Sequence, residues 1–164
     1  LYPDEHLYAG GISSMRQNNF LNPHLDNSHD KDRNKWRVFN LLYYVTPKWE
    51  IDFGGNLEIW PFGVKNEQTT IHSKFNRLVI MATHDASWHS VSPVTHDGVR
   101  CCVSNYYFSD SPLKPHEQFH VTSFRGRPNQ IIRDLYLRFD ATLRMGVRRL
   151  FSKGIVKTDH LYKK

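Results

Sequence analysis

The sequence predicts a mainly β domain, an antiparallel sandwich or barrel of which the jelly-roll is one closure, followed by a C-terminal amphipathic helix. Three observations carry that expectation. From about residue 7 to residue 109, short runs rich in β-branched and aromatic residues alternate with turn-forming residues. No helical crossover pattern separates these runs, which argues against a parallel βαβ architecture. After Pro112 the composition changes, and apolar residues recur at three- and four-residue steps.

The expected strands are Leu7 to Met15, Val38 to Val45, Asn56 to Trp60, Arg77 to Ala82, Ser87 to Ser92 and Arg100 to Phe108. Between them lie Asn22-Pro23, Asp52 to Gly55, Pro61 to Gly63 and Thr95 to Gly98, all rich in turn residues. Gly54-Gly55 lacks the strand-turn-helix context of a phosphate loop and is expected as a turn that admits the next strand. Residues 129 to 153 form the expected helix, entered after Pro128. Its stripe of Ile132, Leu135, Phe139, Leu143, Val147 and Leu150 stands opposite Arg133, Asp140, Arg144 and Arg148 and is expected to pack on the outer face of a sheet. The division expected is a core at 1–112 and, in the same domain, a linker and basic helical extension at 113–164.

At 164 residues, the chain suffices for one hydrophobic core of ordinary size. A hydrophobic content of 39%, an aromatic content of 13% and a mean hydropathy of -0.60 exclude wholesale disorder. No apolar run reaches the roughly 18 to 20 residues of a membrane span. The chain starts at Leu1 rather than Met, so N-terminal elements are expected ahead of it. Cys101 and Cys102 are adjacent, which builds neither a disulfide framework nor a zinc-ligand spacing, and a reducing, cytoplasmic compartment is expected. The net charge of +6 divides unevenly. Residues 1–124 hold 11 Lys/Arg against 13 Asp/Glu, and residues 125–164 hold 11 against 3. Nucleic-acid binding by the main body loses support, whereas the tail would attract anionic lipid or an acidic partner, a possibility ranked below packing on the body.

Ten histidines must be sorted by spacing. His24 and Asp26 are two apart in a segment expected to be extended, where positions i and i+2 share a face. His89, in Ser87-Trp88-His89-Ser90-Val91, supplies a third ligand from another extended run. Two histidines and one carboxylate on one face of a metal leave open positions, the arrangement suited to Fe(II) that binds a co-substrate and O2 together. On its own, His-x-Asp is a weak signal, since such pairs are common in solvated turns. Arg100 adds to it by opening an apolar strand with Ser104 on the same face. A guanidinium there needs an anion, either an acidic residue in a structural ion pair or a ligand carboxylate held through two hydrogen bonds.

The order His24-x-Asp26, Leu42-Tyr43-Tyr44-Val45, Phe53-Gly54-Gly55-Asn56-Leu57-Glu58-Ile59, Trp88-His89-Ser90-Val91 and Gly98-Val99-Arg100 resembles the 2-oxoglutarate and Fe(II)-dependent dioxygenases, and most of all their prolyl-4-hydroxylase-like branch. The resemblance covers roughly residues 20 to 110. It implies a double-stranded β-helix, with His24, Asp26 and His89 as iron ligands and Arg100 pairing with the C5 carboxylate of 2-oxoglutarate. It also implies that Tyr44 hydrogen-bonds that carboxylate while Leu57 and Ser104 line the pocket. Arg100 places the chain nearer the arginine-using relatives than the collagen-type enzymes, which carry Lys there. The implied reaction hydroxylates a C–H bond with release of succinate and CO2, with ascorbate as an accessory reductant. Admissible substrates are a protein prolyl residue, a free amino acid, a sugar or a lipid-linked intermediate.

Two other classes stay in view: a cupin-like isomerase or hydrolase that needs no Arg100, and a non-catalytic binding module. The segment Asn27 to Arg37 is expected as a solvated loop at the metal mouth, with His29 and Arg33 as candidate substrate contacts. His72, His84, His96, His116 and His120 are expected to be surface or hydrogen-bonded histidines, and Trp49, Trp60 and Trp88 core or rim aromatics.

Overall fold

The structure is a computed structural model that describes residues 1–5, 7, 10–30 and 32–151; Lys31 and positions 152–153 of the expected helix lie outside the described residues. Among the described residues ten strands form: β1 (Tyr2–Pro3), β2 (Gly11–Met15), β3 (Leu21–Leu25), β4 (Trp36–Tyr44), β5 (Leu57–Ile59), β6 (Thr69–Ile71), β7 (Arg77–Ala82), β8 (His89–Val91), β9 (Arg100–Ser109) and β10 (Ser123–Phe124). A 3-10 turn at Ile51–Phe53 precedes β5, and one helix, α1 (Ile131–Leu150), follows β10.

The strands make two five-stranded sheets, one ordered β1-β9-β4-β7 with β2 also on β9, the other β10-β3-β8-β5-β6. Every pairing is antiparallel. Buried apolar side chains come from both, with Val38, Tyr44, Cys102, Tyr106 and Phe108 from the first sheet and Leu25, Leu57 and Val91 from the second. The core is therefore the space between two facing sheets, as in a jelly-roll.

Each expected strand is present with ends moved by a few residues, Tyr8 and Ala9 of the first lying outside the described residues, and β7 spans Arg77–Ala82 as expected. The His24 segment is a full strand, although Pro23 lies inside it. The β3–β8 ladder pairs Leu21 with Val91 and His24 with His89 and shifts between them, so the residue without an N–H sits at an irregularity. The Gly54-Gly55 turn also has a packing role. Gly54 has φ +73°, and a Cβ there would lie 1.9 Å from the Pro93 carbonyl oxygen.

The helix forms where the periodicity placed it, but with the other face inward. Leu137, Ala141, Met145 and Val147 are half-buried, whereas Ile132, Leu135, Phe139, Leu143 and Leu150 are 59% to 87% exposed. The expected packing of the whole apolar stripe on the barrel is thus corrected. Two polar tethers set the rotation. Asp134 takes a two-pronged ion pair from Arg125 at 2.6 and 2.9 Å, and the Arg144 Nη1 donates to the Thr122 carbonyl at 2.8 Å. Both tethers sit on the side opposite the stripe.

Candidate active site

Strand register brings the first two ligands together. His24 on β3 lies directly across from His89 on β8, their ring centroids 4.1 Å apart. Asp26, just past the end of β3, has Oδ1 3.8 Å from His24 Nε2 and Oδ2 3.8 Å from His89 Nε2. One ligand atom from each of the three buried residues falls within 4.8 Å of the others. Both imidazoles are held by their far nitrogens: His24 Nδ1–H donates to the Asn22 carbonyl at 3.0 Å, and His89 Nδ1–H to the Ser87 carbonyl at 2.9 Å. Each Nε2 lone pair is thereby turned inward, the tautomer a metal ligand needs. Burial, reinforced by the neighbouring His89, pulls His24 down to about 4, so it stays neutral near pH 7. Phe124 of β10 stacks on the His24 ring at 5.2 Å and covers that flank.

The carboxylate has its own support. Asn40 Nδ2 donates to Asp26 Oδ2 at 3.3 Å, and Arg37 Nη1 lies 3.9 Å from the same oxygen. Arg37 is 3% exposed and stacks over the Tyr106 ring at 3.9 Å, while its Nε and Nη2 have no partner. It points inward because the β4–β9 ladder shifts between Arg37 and Phe39, and such bulges re-aim side chains. Neither Arg37 nor Asn40 could be found from spacing, since the bulge is a property of the pairing.

The second polar centre lies along the same strands. β4 turns Asn40, Leu42 and Tyr44 to one face, so about 13 Å of strand separates the Asn40 and Tyr44 Cα atoms. At the far end Arg100, 3% exposed, has its guanidinium 4.9 Å from the Tyr44 ring centre. Its Nη1 reaches Ser13 Oγ at 3.3 Å and Met15 Sδ at 3.6 Å, and its Nε has no partner. No carboxylate among the described residues pairs with Arg100, which removes the structural ion pair as its explanation. The buried Tyr44 hydroxyl is likewise unpartnered. Burial pushes the Tyr44 phenol up, opposed by the nearby Arg100, so it remains a donor. Leu57 is buried on β5, and Ser104, four residues along β9 from Arg100, is half-buried with its hydroxyl 3.4 Å from the Gly11 carbonyl.

The segment beside the mouth differs from the solvated loop expected. His29 is buried, its ring 4.1 Å from Trp36 and 5.3 Å from Phe119, and Arg33 lies over Phe119 at 3.5 Å. Aromatic cover, not water, surrounds His29. His120 is also inside, its backbone tied to Ser28 in both directions and its Nε2 3.6 Å from the Glu117 carboxylate. His72 bonds the Trp49 carbonyl, and His96 stacks on Phe53.

Two imidazoles with inward Nε2 atoms and a carboxylate face one point, and a separate buried guanidinium has no acid partner, a set of groups able to hold a metal ion and an anionic ligand. Residues 10–108, more than half of the chain, match the 2OG-Fe(II) oxygenase superfamily, and the chain belongs to that superfamily. Among solved structures it is similar to a prolyl hydroxylase from Trichoplax adhaerens in complex with a hypoxia inducible factor oxygen degradation domain peptide fragment, at 25% identity over 59% of this chain and 41% of that one, TM-score 0.48. It is also similar to a prolyl 4-hydroxylase from Phytophthora capsici, at 21% identity over 87% and 44%, TM-score 0.49. A Pseudomonas putida prolyl-4-hydroxylase matches at 16% identity over 70% and 59%, TM-score 0.45. The chain thus spans less than two thirds of the length of each of these proteins. No curated protein gives a significant match. No helix among the described residues is long and apolar enough to cross a membrane.

The donor set fits the superfamily's groups on two counts. The inward Nε2 atoms of two histidines with a carboxylate suit a divalent iron. The orphaned Arg100 Nε and Tyr44 hydroxyl suit a dicarboxylic acid.

Proposed function

We propose that the chain is an Fe(II)- and 2-oxoglutarate-dependent dioxygenase of the prolyl-4-hydroxylase-like branch that hydroxylates a C–H bond of its substrate. Its jelly-roll core occupies 1–112, and 113–164 is a linker and helical extension of the same domain. The observation that carries this reading is the buried, acid-free Arg100 beside an unpartnered Tyr44 hydroxyl, on the same inner strand faces that lead to the metal ligands. Bound together, Fe(II) and 2-oxoglutarate supply the oxidising chemistry, in which O2 is consumed, the co-substrate leaves as succinate and CO2, and C–H becomes C–OH.

The residues do the placing. His24, Asp26 and His89 hold the metal, and the carbonyls of Asn22 and Ser87 keep both imidazoles in the ligating tautomer. Arg37 and Asn40 hold Asp26 against the pull of a cation. Arg100 and Tyr44 anchor the C5 carboxylate, and Leu57 and Ser104 close the walls around it. Phe124 over His24 excludes water from one side of the site. Ascorbate as an accessory reductant belongs to this reading, as does a reducing, cytoplasmic setting for the free thiols Cys101 and Cys102.

The test is anaerobic addition of Fe(II) and then 2-oxoglutarate, read as the weak visible charge-transfer band of the chelate. The band is expected in the parent and lost in Arg100→Met at the same concentrations. A parent that binds Fe(II) but shows no band would favour a cupin-like activity instead.

A further inference from the structure

We infer that α1 is an interfacial helix that seats this protein on an anionic bilayer surface. The inference is independent of the proposed chemistry.

Along α1, Ile131, Ile132, Leu135, Tyr136, Phe139, Leu143 and Leu150 are each between 59% and 87% exposed. With 3.6 residues per turn, these positions form one continuous exposed stripe. The body side is already occupied by the half-buried Leu137, Ala141 and Met145 and by the Arg125–Asp134 and Arg144–Thr122 tethers. Turning the stripe inward would break both tethers. An apolar surface of this length held rigidly in water needs a cover.

The charge around the stripe says which cover. The helix carries Arg133, Arg138, Arg144, Arg148 and Arg149 against Asp134 and Asp140. Both aspartates are engaged by arginines, Asp134 by Arg125 and Asp140 by Arg144 at 2.7 Å. Helical spacing places Arg138 and Arg149 along one edge of the stripe and Arg133 along the other. Leucine, isoleucine and phenylalanine between rows of arginine, on a helix of low overall hydrophobicity, is the composition that lies in the plane of a headgroup layer. The surface extends past the helix start. A groove of about 600 Å3 lies between α1 and the 61–66 turn, lined by Ile131, Ile132 and Leu135, by Val64 and Lys65, and by the ion-paired Arg125 and Asp134 with Arg127 and Arg138. The same turn carries Phe62, 81% exposed. The exposed apolar stripe with arginines along its edges matches acyl chains below anionic headgroups, whereas a second copy of this chain would bring arginine against arginine.

The experiment is co-sedimentation of the full chain with phosphatidylcholine vesicles that contain or lack phosphatidylglycerol, at an ionic strength of about 0.15 M. Binding is expected to the anionic vesicles only and to fall as salt rises. The double variant Leu135→Asp/Phe139→Asp should weaken binding by roughly 100-fold or more, since two buried apolar side chains are lost. Both positions are exposed, so its circular dichroism and melting should match the parent. Arg138→Glu/Arg149→Glu should weaken binding by roughly tenfold or more. Failure of the parent to bind anionic vesicles overturns the inference. So does binding that survives Leu135→Asp/Phe139→Asp, which would assign the attraction to net charge alone. Stripe-dependent self-association without vesicle binding overturns it in favour of a protein partner.

Discussion

Replacing Arg100 by Met separates the two roles a buried arginine can have. The substitution keeps an unbranched stem at the Gly55 contact, where the Arg100 Cγ lies 3.5 Å from the position of an added Cβ, and removes the charge together with the long contacts from Nη1 to Ser13 and Met15. In the absence of co-substrate this charge has no acid partner and one unpartnered N–H, so its removal relieves desolvation rather than breaking a pair. The metal-free protein should therefore be as stable as the parent or more so, by up to about 2 kcal/mol. Affinity for 2-oxoglutarate should move the other way. Truncating one partner of a buried, hydrogen-bonded charge pair costs about 2 to 5 kcal/mol, which is roughly 30-fold to several thousand-fold in Kd. The assay pairs denaturant melts of both proteins with anaerobic titration of 2-oxoglutarate into the Fe(II)-loaded forms. Unchanged affinity would refute the anchoring role. A loss of more than about 2 kcal/mol of stability without ligand would show that Arg100 is a structural residue after all.

Other outcomes follow from the same geometry. His89→Ala should abolish succinate formation and saturable Fe(II) binding while leaving the far-ultraviolet spectrum unchanged, and parental turnover in the variant would remove His89 from the site. His24 titrates near 6.5 in an unfolded chain and is pulled down to about 4 here by burial and then by His89, so between those values the unfolded state binds the proton the folded state refuses. Stability of the metal-free protein should thus be complete above pH 6.5 and fall by about 3 kcal/mol as pH drops to 4. A His24→Gln variant should lose that part of the slope, and an identical slope in both proteins would count against the assignment. Gly54→Ala should cost upwards of about 2 kcal/mol in chemical denaturation, because φ is +73° and the new Cβ meets a carbonyl oxygen; a neutral result would mean that the 52–55 turn relaxes freely.

The parts of this molecule that sequence made legible are those governed by local repetition. Arg77–Ala82 is a short apolar run rich in branched residues between a turn and a polar segment, and its ends are where they were expected. The helix announced itself by three- and four-residue steps, but its orientation did not, because Arg125 and Arg144 fix it through partners at Asp134 and Thr122. Strands β1 and β10 are two residues long, too short for a pattern to register, β6 lies in a mostly polar stretch with Ile71 as its one apolar residue, and Pro23 obscures β3. At the site, His24, Asp26 and His89 stood out by ligand chemistry and the i, i+2 rule. Arg37 and Asn40 did not, since polar residues in a nine-residue strand carry no mark of which face they will meet. The burial of His29 and His120 depends on Phe119 and Ser28 contacts made across the fold.

The bulge at Arg37 bears on how this protein can change over time. In an uninterrupted strand, adding or deleting one residue reverses the facing of everything beyond it. β4 already contains such an offset, placed between the aromatic-covered hairpin at 29–36 and the ladder from Phe39 to Tyr44 that runs unbroken on β9. A change of one residue in the hairpin can be taken up at that joint by gaining or losing the offset. Asn40 would stay turned toward Asp26, and Tyr44 toward Arg100. The hairpin at the mouth can therefore be lengthened, shortened or exchanged as a unit, with the co-substrate end of the same strand mechanically insulated from it.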